Sequence, residues 1–352
     1  MSKVPIRPSV AELPAYHAGA RPLGRLVYKL SSNESPYPPL PGVLAAVADA
    51  AVDLNRYPSM LADELVGVIA RFHGLEPDQV AVGAGSVAVL GHALAAVAGP
   101  GDRIAYPWRS FEAYPILVGV AGAEAVSVPL GEGGRLDLAA LAAAVDRRTR
   151  AVLICSPNNP TGPAVRQDEF DAFMASVPED LLVILDEAYG EFVTDPEAVD
   201  GIGGLAEHPN LVVTRTFSKA YGLAGLRVGY ALGRPRLVSA VKAVTTPFSV
   251  SAMAEMAAIT SLQMQTELRA RVAGVIERRA FVYEGLVAQG WQPPDPQGNF
   301  VWLDLGVDAA PFADACRRAG VLVRPFAGEG VRVSVGEQEG AEQFLEAAST
   351  WV

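Results

Sequence analysis

Along the first two thirds of the chain, short runs rich in Val, Ile and Leu alternate with helix-length segments, and turn residues mark the joints. The clearest runs cover residues 80–82, 103–106, 123–128, 151–155, 181–185, 211–217 and 227–231. They are largely continuous rather than alternating, which predicts strands buried on both faces, as in a mostly parallel sheet covered by helices. The connections suit that geometry. Residues 167–176, for instance, are long enough for a crossover helix. The predicted fold is α/β, with a mostly parallel seven-stranded sheet.

The pattern changes near Pro247. A long helical stretch is expected over 251–289, ended by Gly290 and a proline-rich turn at 293–296. A strand at 300–305, a helix near 311–320, strands at 322–324 and 331–335 and a final helix then compose a smaller α+β unit. The first 30 or so residues, with Pro5, Pro8, Pro14 and Pro22, read as an arm that docks on something larger. These readings divide the chain into an arm (1–35), a large domain (36–246) and a small domain (247–352).

Composition narrows the class. The 352 residues are 50% hydrophobic and 19% charged, an ordinary globular chain of about two domains. A net charge of -11 argues against nucleic acid or an anionic membrane as partner, because both require a basic footprint. Residues 79–101 carry no formal charge and are long enough to span a bilayer, yet glycines at 83, 85 and 91 interrupt them. A strand, a turn and a helix explain that run better. Two distant cysteines and no signal segment point to a reducing cytoplasm, and the four histidines show no metal-ligand spacing.

Four predicted strand ends carry polar residues. Residues 80–82 lead into Gly83-Ala84-Gly85-Ser86, a glycine turn before an apolar helix that presents backbone N–H groups to a phosphate. The same loop formally satisfies a dinucleotide fingerprint, but the acidic residue such a site needs is absent from its expected place, since Asp102 precedes its strand. The other three ends are Ser156 to Gly162, Asp186 to Tyr189, and Ser218-Lys219. Each alone would be a helix cap or a solvated turn. Their spacing, 27 residues from Asn159 to Asp186 and 33 more to Lys219, is one strand plus one crossover each time, so all converge on one crevice.

An Asp, a Lys, a Tyr and a phosphate loop in one crevice suit pyridoxal 5'-phosphate. A lysine amine can form a Schiff base with its aldehyde, and a carboxylate keeps its ring nitrogen protonated. Only four of the 28 basic residues are lysines, and of Lys3, Lys29, Lys219 and Lys242 only Lys219 follows a core strand.

With these residues in hand, the chain resembles the fold type I aminotransferases, and within them the histidinol-phosphate and aromatic amino acid aminotransferase group. The resemblance runs through Leu30 to Glu34, Arg56-Tyr57-Pro58, Ser156 to Gly162, Asp186 to Tyr189, Ser218 to Tyr230 and Val331-Arg332-Val333. It implies Lys219 as the Schiff-base residue and proton shuttle and Asp186 as partner of the ring nitrogen. Asn159 and Tyr189 are implied at the ring's phenolic oxygen. Gly85, Ser86 and Val87 amides, Ser218 and Arg227 are implied at the phosphate, and Phe111 against the ring. Tyr57 is implied at the phosphate of a neighbouring subunit, hence a homodimer, and Arg332 at the substrate carboxylate. Amino acids and 2-oxo acids are the implied substrates, in a ping-pong transfer.

The segment Trp108 to Pro115 resembles the aromatic branch, so aromatic amino acids are the expected substrates. Tyr16, Trp108 and Phe326 are candidates for the pocket, with Asn159 beside Arg332. Histidinol phosphate stands as the alternative because Arg324 with Arg332 could hold its phosphate. A lyase, a nicotinamide-dependent dehydrogenase using residues 83–88 and a non-catalytic cofactor binder are the remaining readings.

Overall fold

The computed structural model describes residues 4–11, 13 and 28–351. Tyr16 lies outside the described residues. The seven apolar runs form β1 (Val80–Gly83), β2 (Arg103–Trp108), β3 (Glu124–Pro129), β4 (Thr149–Cys155), β5 (Leu182–Asp186), β6 (Leu211–Thr216) and β7 (Gly229–Gly233). They make one sheet in the order β1-β7-β6-β5-β4-β2-β3, and β7 alone runs antiparallel to its neighbours.

Burial follows from the pleat. Leu185 and Val213 pack into one core while Ile184 and Val212 pack into another on the opposite face. Central strands β5 and β7 are buried at every position. The edge strand β3 differs: of its six residues only Val128 is buried.

β7 starts later than expected. The 12 residues between Thr216 and Gly229 hold only a short 3-10 turn, Ala224–Leu226, which is too little for a parallel crossover. Arg227 therefore sits in that connection, with φ 53°, rather than in a strand. β1 lies at the sheet edge and pairs antiparallel with β7, so residues 83–88 do not open a parallel dinucleotide-binding unit. That reading of the glycine loop is excluded.

The stretch expected as one helix over 251–289 breaks at Met264 into Ala252–Gln263 and Gln265–Ala288. The first of these packs on Pro41–Ala50 and contributes Ala254, Ala257 and Ala258 to the large core. A separate antiparallel sheet combines β8 (Phe300–Asp304), β9 (Arg324–Phe326) and β10 (Gly330–Ser334) in the order β9-β10-β8. The strand expected at 322–324 splits, because Val321–Leu322 pairs instead with Tyr28–Lys29. Leu30, Phe312, Val331 and Phe344 share this smaller core. Among the described residues, no helix is long and apolar enough to cross a membrane.

Candidate active site

The carboxyl ends of β4, β5 and β6 border a cavity of about 520 Å3, to which β9 and β10 contribute Arg324 and Arg332. Asp186 closes β5 and is 2% exposed. Its Oδ2 accepts a hydrogen bond from Tyr114 Oη (3.0 Å) and its Oδ1 one from Thr214 Oγ1 (3.0 Å). Burial raises its pKa to about 6, and these two hydroxyls oppose the rise.

Lys219 follows β6 by three positions, and its Nζ donates to the Ser32 carbonyl (3.3 Å). Burial, helped by the positive charge of Arg332, lowers its pKa to about 7. An amine so placed is substantially neutral near pH 7, the form a nucleophile or proton acceptor needs. Tyr189, also on the cavity wall, accepts from Asn33 Nδ2 (3.0 Å), and burial pushes its hydroxyl pKa up. Arg332 Nη1 donates to Asn159 Oδ1 (2.6 Å) and Nη2 to the Ser31 carbonyl (3.0 Å).

At the other side of Lys219, the chain leaves β1 through Gly85 at φ 83° and enters the helix Ser86–Val97. A Cβ at Gly85 would lie 2.5 Å from Arg227 Nη2, so glycine is what lets the guanidinium close on the loop. Arg227 Nη1 also donates to Ser218 Oγ (3.2 Å). First-turn amides of a helix have no intrahelical acceptor. With Arg227 and Ser218 they form a cradle for an anion, and Ser86, Val87, Ser218 and Arg227 all line the cavity.

These residues fit pyridoxal phosphate: an anion cradle, a half-buried amine of lowered pKa, a buried carboxylate and the flanking Phe111 share one space. Cys155 also lines it, but burial raises its thiol pKa to about 12, far from a thiolate nucleophile.

Two of the aromatics expected at the pocket, Trp108 and Phe326, do not line it, while Tyr57 was expected at a neighbouring subunit's phosphate rather than at this chain's own cavity. Tyr57 is 84% exposed and stacks on Phe248 with ring centroids 4.9 Å apart. Trp108 does not line the cavity; the Arg109 guanidinium covers its ring at 4.1 Å. Phe326 is buried behind the wall, 5.4 Å from the Arg324 guanidinium. Conversely, several neighbours were assigned no role from sequence: Tyr114 and Thr214 on Asp186, Ser31 and Ser32 under the cations, and Glu112. Arg324 Nη2 lies 2.9 Å from both carboxylate oxygens of Glu112, and Arg109, three residues before Glu112, pairs with Glu329, five residues after Arg324.

The sequence family described as aminotransferase class I and II matches residues 26–347. An aromatic amino acid aminotransferase of Thermobifida fusca is 51% identical over 349 residues, covering 98% of this chain and 97% of its own. One from Streptomyces avermitilis is 50% identical over 342 residues, with coverage of 97% and 95%. Among solved structures, a histidinol-phosphate aminotransferase of Sinorhizobium meliloti in complex with pyridoxal-5'-phosphate superposes with TM-score 0.88 at 29% identity, covering 99% of this chain and 98% of that one.

Proposed function

We infer the function from a premise of kinship, that the chain belongs to the class I and II aminotransferases, and propose that it moves amino groups between aromatic amino acids and 2-oxo acids with pyridoxal phosphate as cofactor. The observation that carries this reading is the cavity itself. Half-buried Lys219, buried Asp186, the Gly85–Arg227 cradle and Arg332 meet at one space of small-molecule size. The names of relatives at 50–51% identity support the aromatic substrate.

Pyridoxal phosphate, when bound, supplies an aldehyde that captures an amine and a protonated ring that withdraws electrons from the substrate's α carbon. The protein's own groups do the rest. The amides of Gly85, Ser86 and Val87, with Ser218 and Arg227, anchor the phosphate. Asp186, ionised above about pH 6 and held by Tyr114 and Thr214, would pair with the ring nitrogen. Asn159, Tyr189 and Phe111, all on the cavity wall, would hold the ring. Arg332 exchanges its neutral acceptors for the substrate carboxylate, a planar pairing that arginine suits. Lys219 Nζ, neutral in a large fraction of molecules near pH 7, takes the α proton in one direction and returns it in the other.

Tyr57 would reach a second copy of the chain. Its exposure, together with exposed Leu54, Met60 and Phe248, supports a homodimer formed over this region. The buried, unpaired cysteines agree with work in the cytoplasm.

A substrate panel tests the reading. Phenylpyruvate or prephenate should exceed imidazole acetol phosphate as acceptor in kcat/KM by more than about tenfold; the reverse order would reassign the substrate. Lys219→Ala should also abolish the visible absorbance band of the loaded protein. An unchanged band would remove Lys219 from its role.

A further inference from the structure

We propose that Glu112 is a specificity residue that cancels Arg324 as an anion site, so that the enzyme turns away substrates bearing a phosphomonoester. This rests on the aromatic reading above. Arg324 stands directly opposite Arg332 in the β9–β10 pairing, and both side chains line the cavity. Two arginines on one face of a strand pair would create a strong attraction for a second anionic group on the substrate. Glu112, which also lines the cavity, changes that field.

The Arg324 Nη2 atom lies 2.9 Å from both Glu112 oxygens, and the two side chains are only 12% and 25% exposed. Partial burial reduces the screening of the pair by solvent and salt. Arg332, in contrast, donates to the neutral oxygens of Asn159 and Ser31. The cavity therefore offers a carboxylate-binding cation at Arg332 and a neutralised pair at Arg324. A phosphomonoester, with nearly two negative charges at pH 7, would meet the Glu112 carboxylate at contact range. Such like-charge juxtaposition is a strong means of rejecting a wrong partner. An aromatic ring carries no charge to be repelled, and Phe111, which also lines the cavity, offers it an apolar face.

The test titrates inorganic phosphate into the loaded enzyme, by calorimetry and by competitive inhibition of phenylpyruvate turnover, at two salt concentrations. Glu112→Gln should bind phosphate about tenfold or more tightly than the parent, with stronger salt dependence, because it removes one opposing charge from Arg324. The ratio of kcat/KM for a phosphorylated 2-oxo substrate to that for phenylpyruvate should rise by a similar factor. Equal phosphate affinity in parent and E112Q would overturn the assignment of Glu112, and parent turnover of phenylpyruvate would leave the aromatic reading standing. A parent that prefers the phosphorylated acceptor would instead overturn the aromatic reading. If E112Q does not fold, the neutral double variant E112Q/R324Q carries the test. It should match the parent's phosphate affinity within about threefold, since the native pair is already neutral. A tenfold loss in the double variant would show that Arg324 serves phosphate despite Glu112, and the proposal would fail.

Discussion

The two ends of the cavity control charge by opposite means. At the cofactor end, Asp186 and Lys219 are withdrawn from water and held by neutral partners, the hydroxyls of Tyr114 and Thr214 and the carbonyl of Ser32. Burial pulls both toward neutrality, Asp186 up to about 6 and Lys219 down to about 7. At the substrate end, Arg324 is met by the carboxylate of Glu112, and just outside the cavity lining Arg109 is met by Glu329, both in partly exposed pairs. The first arrangement prepares groups to change protonation state, which catalysis requires. The second fixes charge and leaves it unchanged, which suits recognition.

The contrast would break most visibly at Asp186. Because its pKa rises from 3.8 to about 6 on folding, the carboxyl favours the folded state below pH 4 and that contribution is lost as pH climbs through 6. Asp186→Asn should therefore stabilise the cofactor-free protein at pH 8 by roughly 1–3 kcal/mol while lowering turnover by about a hundredfold or more. Thermal melts at pH 4 and pH 8 check the sign; a variant less stable than the parent at pH 8 would refute it. Tyr114→Phe is the finer probe of the same end. Loss of one hydroxyl from a buried carboxylate costs about 1.5–3 kcal/mol, so the acid limb of the pH–rate profile should move up by about one unit. An unmoved limb would show that Tyr114 does not support the ionised form.

The substrate end should respond less. Side chains of Arg109 and Glu329 are 20% and 34% exposed, so solvent screens their pair. Glu329→Gln is expected to change stability by less than about 1 kcal/mol, an effect that vanishes in high salt. A larger, salt-resistant loss in denaturant titrations would mean that this end is as desolvated as the other.

Sequence legibility divides along the same line. Asp186, Asn159 and Lys219 could be brought together in advance because parallel strands aim their carboxyl ends into one crevice, and spacing counts strands. Scarcity of lysine did the rest. The supporting shell was hidden. Tyr114 lies in the apolar helix Ala113–Ala121 and reads as core, since no local pattern says that its hydroxyl meets a carboxylate 72 residues away. Glu112 and Arg324 are 212 residues apart and meet only because the loop after β2 approaches the small sheet. Trp108, chosen as an aromatic in a suggestive segment, turned out to stack under Arg109 instead of facing the cavity. Arg227 fell outside its expected strand because the link from β6 turns back antiparallel, and that reversal is what brings its guanidinium to Gly85.

The most direct test exploits the four lysines. Reducing the loaded enzyme with borohydride, digesting it and locating the added cofactor mass should mark the peptide containing Lys219 and leave Lys3, Lys29 and Lys242 unmodified. Cofactor mass on any of those three, or on no lysine at all, would contradict the account of this cavity.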